Sequence, residues 1–129
     1  MPAFSKLSRD RLATCDPALQ GLFNKVIETR DCAILEGFRD REGQDLAFRS
    51  GRSQKRWPDS KHNSTPARAV HAAPFPVQWQ KIDRFIYFGG YVMGVASQMG
   101  IPLRWGGDFN QNNDPDDDNL HDFVHFELL

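Results

Sequence analysis

Four histidines, His62, His71, His121 and His125, carry the metal chemistry open to this chain of 129 residues. His125 closes an Asp122-Phe123-Val124-His125 quartet and Glu127 follows two residues later, so imidazoles and carboxylates crowd in among Phe123, Val124, Phe126, Leu128 and Leu129. A catalytic zinc ion takes three protein ligands from His, Asp, Glu or Cys and leaves a fourth position to water, whose pKa then falls toward neutrality. The H-x8-H spacing from His62 to His71 and the distant D-x-x-H are fixed by no single helix, so spacing alone does not establish a site. Each histidine keeps a second reading as a surface or hydrogen-bonded core residue, and for His121 that reading is preferred. Cys15 and Cys32 stand apart from the histidines without C-x-x-C spacing and read as reduced, partly buried thiols.

The elements that must aim these side chains are legible from pattern. Asp16 caps a helix with Pro17 at its first position, and Leu19, Leu22, Phe23, Val26 and Ile27 form its apolar face. A shorter helix is expected before it, from about Ser8 to Thr14. "CAILEGF" reads as a strand and "DREGQDLAFRSG" as a helix stopped by Gly51. Residues 52–66 are polar and proline-punctuated, a long loop of the kind that carries function. "ARAVHAAPFPV" reads as a strand ended by prolines, "WQKIDRFIYFGGYVMGVASQMG" as the longest helix, and "IPLRWGG" as a further strand. The final strand is expected at about Val124 to Leu128. Short strands and helices without regular alternation predict an α+β class with a small antiparallel sheet flanked by helices, in a single domain over residues 1–129.

Hydrophobic residues make up 40% of the chain and charged residues 26%, with a net charge of -1 and a pI near 6.4. This is globular composition without the basic footprint of a nucleic-acid binder. The longest apolar stretch, "FIYFGGYVMGVASQMGI", is broken by glycines and polar residues and falls short of the ~20 apolar residues a membrane span requires. "MPAFSKLSRDRLATC" lacks the pattern of a Sec signal, so the expectation is a protein kept in the cytoplasm until another agent releases it.

In "DFNQNNDPDDDN", oxygen-bearing side chains alternate at Asp108, Asn110, Asn112 and Asp114, followed by Asp117 and Asp118. The spacing matches the first half of an EF-hand loop, without its glycine and its terminal glutamate, and gives a candidate calcium site whose alternative is a solvated acidic loop. Calcium there would order the segment leading into Asp122 and His125. Trp79 and Trp105 are expected to pack in the core or a cleft wall, and Trp57, in the polar loop, to meet substrate. Arg49, Arg52, Lys55 and Arg56 form a basic run that either attracts an anionic polymer or solvates a helix end.

"EGFRDREGQ", "SKHNSTPARAVHAAPFPVQW", "LRWGGDF" and "DFVHFEL" occur in an order and spacing that resembles the zinc peptidases of the VanY-like D-alanyl-D-alanine carboxypeptidase family, and especially the small phage endolysins that cleave L-alanyl-D-glutamate bonds in peptidoglycan. The resemblance runs from about Ser5 to Leu129 and implies the Hedgehog/DD-peptidase fold. It implies His62, in the Ser60-Lys61-His62 motif, as the first zinc ligand, His125 as the last, and Asp122 as the general base. It further implies Arg39 as the group that stabilises an oxyanion or holds a substrate carbonyl or carboxylate, with Gln44 in support. One position departs. Where the family pattern has aspartate after "AV", this chain has His71, which predicts a three-histidine site with a more positive metal; a weakened site and a changed metal preference are the alternatives. Asp122 and His125 would face opposite sides of a regular strand, so the turn into the strand must begin near Asp122. Glu127 shares the face of His125, as an orienting partner, a substrate contact or half of a salt bridge.

The resulting expectation is a monomeric zinc endopeptidase acting on the peptidoglycan stem peptide, made in the bacterial cytoplasm and admitted to the wall by a holin. A D,D-carboxypeptidase and a non-catalytic wall-binding module are the rival readings.

Overall fold

The computed structural model describes residues 2–112 and 122–129. Helix α1 spans Lys6–Leu12, α2 Pro17–Ile27, α3 Arg41–Arg49 and α4 Ile82–Gln98; the strands are β1 Cys32–Glu36, β2 Ala69–Pro74, β3 Leu103–Trp105 and β4 His125–Leu128. The four strands form one antiparallel sheet in the order β1-β2-β4-β3. The α+β class and the small flanked sheet agree with the sequence reading.

Local chemistry sets the helix ends. Asp16 accepts from the Ala18 amide at the start of α2, and Asp40 from the Gly43 amide at the start of α3. Helix α1 begins before the expected start at about Ser8, because Ser5 accepts from the Ser8 amide and caps the first turn. Gly51, just past α3, takes the left-handed φ of +80° that stops a helix cleanly.

The two faces of the sheet have different work. Ile34, Val70, Ala72, Leu103 and Phe126 are buried in the main core with Leu19, Leu22, Phe23 and Val26 of α2 and Phe88 and Val92 of α4. Phe126 meets Phe23 edge-on at a centroid distance of 5.6 Å. Strand alternation then turns His71, His125 and Glu127 to the opposite face. Cys15 and Cys32 are free and buried, in the same core, and burial pushes their thiols up to about 11 and about 12, which makes them inert.

Trp105 is buried as expected, with its indole N–H donated to the Phe123 carbonyl at 2.9 Å. Trp79 is not a core residue: it is 60% exposed and stacks on Phe85 at a centroid distance of 5.5 Å. Trp57 is half-buried in the loop. No helix among the described residues is long and apolar enough to cross a membrane.

Gly89 of α4 lets the helix lie directly against the Trp105 indole, which a Cβ would overlap, whereas a Cβ at the next position, Gly90, meets nothing within 4 Å. Gly89→Ala should therefore lower stability by ~1–3 kcal/mol through overpacking, and Gly90→Ala should raise it by ~0.5–1 kcal/mol through helix propensity. Denaturant titration of both variants checks the pair; equal effects would mean that α4 does not seat on Trp105.

Candidate metal centre

Two of the site histidines come from neighbouring strands in direct register. His71 of β2 pairs with His125 of β4, and on its other side His71 pairs with Glu36 of β1. Glu36, His71 and His125 thus form a lateral row across three strands. Its first member depends on an irregularity: Ile34 pairs with Ala72 and Glu36 with His71, so Leu35 is an extra residue that reverses the alternation. Without it, Glu36 would share the core face of Ile34.

His62 closes over this row from a single 3-10 turn, Lys61–Asn63. Ser60 caps the turn by accepting from the His62 amide, and Asn63 reciprocates by accepting from the Ser60 amide at 3.1 Å. Ser60 therefore aims His62 through the backbone. The turn is tied to the sheet's edge by the Arg39 amide, which donates to the His62 carbonyl at 2.8 Å.

The three imidazoles converge. His62 Nε2 lies 3.2 Å from His71 Nε2, and His71 Nε2 lies 3.2 Å from His125 Nδ1. One ligand atom from each falls within 4.8 Å of the others. The outer nitrogens fix the tautomers. His62 Nδ1 is 2.8 Å from the Gly37 carbonyl, and His125 Nε2 is 2.8 Å from the Glu127 carboxylate, partners that can only accept. Both outer nitrogens are donors, so both inner nitrogens present lone pairs. Both of these lone pairs point at Nε2 of His71, and a cation placed among the three nitrogens would take all of them as ligands. Tetrahedral zinc with Zn–N distances of ~2.0–2.1 Å places neighbouring nitrogens ~3.3–3.4 Å apart, close to the separations found. The donor set fits a divalent metal of the zinc type.

The surrounding groups are fixed by the same neighbourhood. Asp122 Oδ2 lies 3.7 Å from His71 Nε2, the nitrogen that faces His62 and His125. The His125 amide donates to the Asp122 carbonyl at 3.0 Å, so a turn does begin at Asp122 and brings both side chains to one side. Gly106 makes the turn possible, because a Cβ there would overlap the Asp122 carbonyl. Phe109 flanks His125, ring to ring at 6.0 Å. Glu127 accepts from His125 and pairs with Lys61 at 3.1 Å and Arg104 at 3.5 Å. The orienting and salt-bridge readings of Glu127 thus coexist.

Arg39 is held by the Glu36 carboxylate through Nε and Nη2, and by Gln44 Oε1 through Nη1 at 3.0 Å. Gln44 is fully buried, accepts also from Asn63, and donates to Ser53 and to the Lys55 carbonyl. Sequence reasoning gave Glu36 no role, since its pattern in "CAILE" reads as one regular strand. Of the calcium candidates, Asp108, Asn110 and Asn112 are described, with the Asn112 amide donating to Asn110 Oδ1 at 3.3 Å. Asp114, Asp117 and Asp118, like His121, lie outside the described residues.

Burial pushes the His62 imidazole down to about 4, against the Gly37 hydrogen bond and helped by the charges of His125 and Arg39. Burial likewise pushes His71 down to about 2, with His62, His125 and Arg39 adding to it. Burial raises Asp122 above its ordinary range despite the pull of His125, and a cation on the histidines would draw it back. Burial acts to raise Glu127 too, but hydrogen bonds from His125 and Lys61 outweigh it and hold the carboxyl at about 2.

These values set a pH response for the metal-free protein. Below pH ~6.5 the unfolded chain protonates imidazoles that the folded chain keeps neutral, so stability falls as the pH drops, with His62 alone costing ~3 kcal/mol by pH 4. Glu127 acts in the same direction at lower pH, since its stabilisation is lost as the pH falls from 4.5 toward 2. Melting curves of metal-free protein from pH 7 to pH 4 should show a continuous fall in Tm; a flat profile would contradict the buried neutral imidazoles.

Comparison with known proteins agrees with this architecture along its length. The profile of the phage L-alanyl-D-glutamate peptidase family matches residues 2–129. The L-alanyl-D-glutamate peptidase of Escherichia phage T5 is 29% identical over 136 residues, covering 98% of this chain and 97% of that protein. The crystal structure of the Serratia marcescens L-Ala D-Glu endopeptidase ChiX superposes with a TM-score of 0.75 at 23% identity, covering 99% of this chain and 91% of ChiX, and so shares the fold. The chain belongs to the phage L-alanyl-D-glutamate peptidase family.

Proposed function

We propose that this protein is a zinc-dependent endopeptidase that hydrolyses the L-alanyl-D-glutamate amide of the peptidoglycan stem peptide. The observation that carries the metal reading is the convergence of His62, His71 and His125, whose inner nitrogens face one point while acceptors hold the outer N–H groups of His62 and His125. Family membership supports the choice of bond.

His62, His71 and His125 would hold the zinc ion, which when bound acts as a Lewis acid toward the scissile carbonyl and acidifies water. Asp122, with its carboxylate beside the ligand cluster, takes the proton of the attacking water and returns it to the leaving amine. Burial raises its proton affinity in the metal-free protein, and a cation on the histidines would draw it back toward the range of an ionised carboxylate, the form a base needs. Arg39 is held in one orientation by Glu36 and Gln44 and offers its remaining N–H groups to the negative charge that develops on the substrate. A calcium ion at Asp108, Asn110, Asn112, Asp114, Asp117 and Asp118 would steady the approach to Asp122. Biologically, this reading makes the protein a monomeric endolysin that reaches the wall through a holin.

Digestion of purified muropeptides with the zinc-loaded protein should release peptides with a new N-terminal D-glutamate. Release of terminal D-alanine would instead indicate a D,D-carboxypeptidase, and binding to sacculi without new amino groups a wall-binding module. Asp122→Asn should retain zinc while lowering kcat by ~10²–10⁴. Loss of zinc in that variant would place Asp122 among the ligands and contradict its role as base. Calcium should raise the Tm of the native protein but not of Asp108→Ala; an equal shift in both would contradict the second cation site.

A further inference from the structure

We infer that Glu36 is a positioning residue that couples the metal ligand His71 to Arg39. This rests on the metal reading above. The outer nitrogens of His62 and His125 have acceptors at hydrogen-bond distance, but among the described residues His71 Nδ1 does not: the carboxylate facing it is Glu36, with Oε1 at 3.6 Å. That separation is too long for a hydrogen bond, and a small side-chain rotation closes it. Once Nε2 of His71 faces a cation, its Nδ1 must carry the proton, and an N–H in this partly dry cleft needs an acceptor.

Glu36 meets that need without giving up Arg39. Its two oxygens take Nε and Nη2 of Arg39, and Oε1, on the Nη2 side, is also the oxygen nearest His71. The carboxylate therefore lies between a fixed guanidinium and a ligand imidazole. Its placement is backbone-made, because the extra residue Leu35 turns position 36 to the metal face and in register with His71. Arg39 is anchored from its other side by buried Gln44, so a movement of Glu36 falls chiefly on the more loosely held ring, that of His71.

The test is metal affinity, with activity set aside. Zinc dissociation constants from chelator competition, and the visible spectrum of the Co²⁺-substituted protein, are measured for the native chain and Glu36→Gln, each with native His71 and with His71→Asp. Circular dichroism melts establish that each variant folds. With His71 present, Glu36→Gln leaves a single neutral oxygen to serve the donors of both Arg39 and His71, and should weaken zinc ~10–100-fold and alter the Co²⁺ bands. With Asp at position 71 there is no outer N–H to hold, so the loss should shrink to the small effect of one removed charge. Equal losses in both backgrounds would mean that Glu36 acts by charge alone and would overturn the positioning role. Native-like affinity and spectrum in Glu36→Gln would overturn it too. Glu36→Asp, which keeps the charge and shortens the reach, should also weaken zinc; unchanged affinity would again overturn the inference. Failure of the native protein to bind metal would overturn both this inference and the function it rests on.

Discussion

The inner lone pairs of His62 and His125 both point at Nε2 of His71, and the structure around the three rings is organised to hold them at one point. Acceptors on the far sides of His62 and His125 fix which nitrogen carries the proton, and burial keeps His62 and His71 uncharged well below neutral pH. The Gly37 carbonyl and the Glu127 carboxylate are therefore as much a part of the site as the rings. Glu127 is in turn held ionised by His125 and Lys61. A small sheet with one side in the core and the other facing the site supplies the rigidity this needs.

That economy explains why the chain buries its own end. Phe126 and Leu128 seat β4 in the core beside Phe23 and Phe88, and the residues between and before them, Glu127 and His125, necessarily face the other way. Hydrophobic burial on one side of the strand thus sets the position of His125 and its partner Glu127 on the other. The turn at Asp122 adds a carboxylate to the same side, and Gly106 allows the close backbone approach this requires.

Much of this was legible in residue types and periodicity. The helices announced themselves through Asp16-Pro17 and Gly51, and the opposition of Asp122 and His125 in a regular strand forced the expectation of a turn that the Asp122 carbonyl now makes. Glu36 was not legible, because an extra strand residue reverses which face a position occupies and no pattern in five residues reveals it. Trp79 differs for another reason: a large aromatic beside an apolar helix reads as core or cleft wall, and the core half of that reading fails because the ring stacks on Phe85 and stays 60% exposed. The early start of α1 is a matter of capping, decided by Ser5.

The central claim is that His71 ligates a metal together with His62 and His125. X-ray absorption at the zinc edge of the reconstituted protein addresses it most directly. The account predicts one zinc per chain with three imidazole nitrogens at ~2.0–2.1 Å, falling to two imidazoles or to no bound zinc in His71→Ala. A zinc shell with two imidazoles in the native protein, unchanged by His71→Ala, would contradict it.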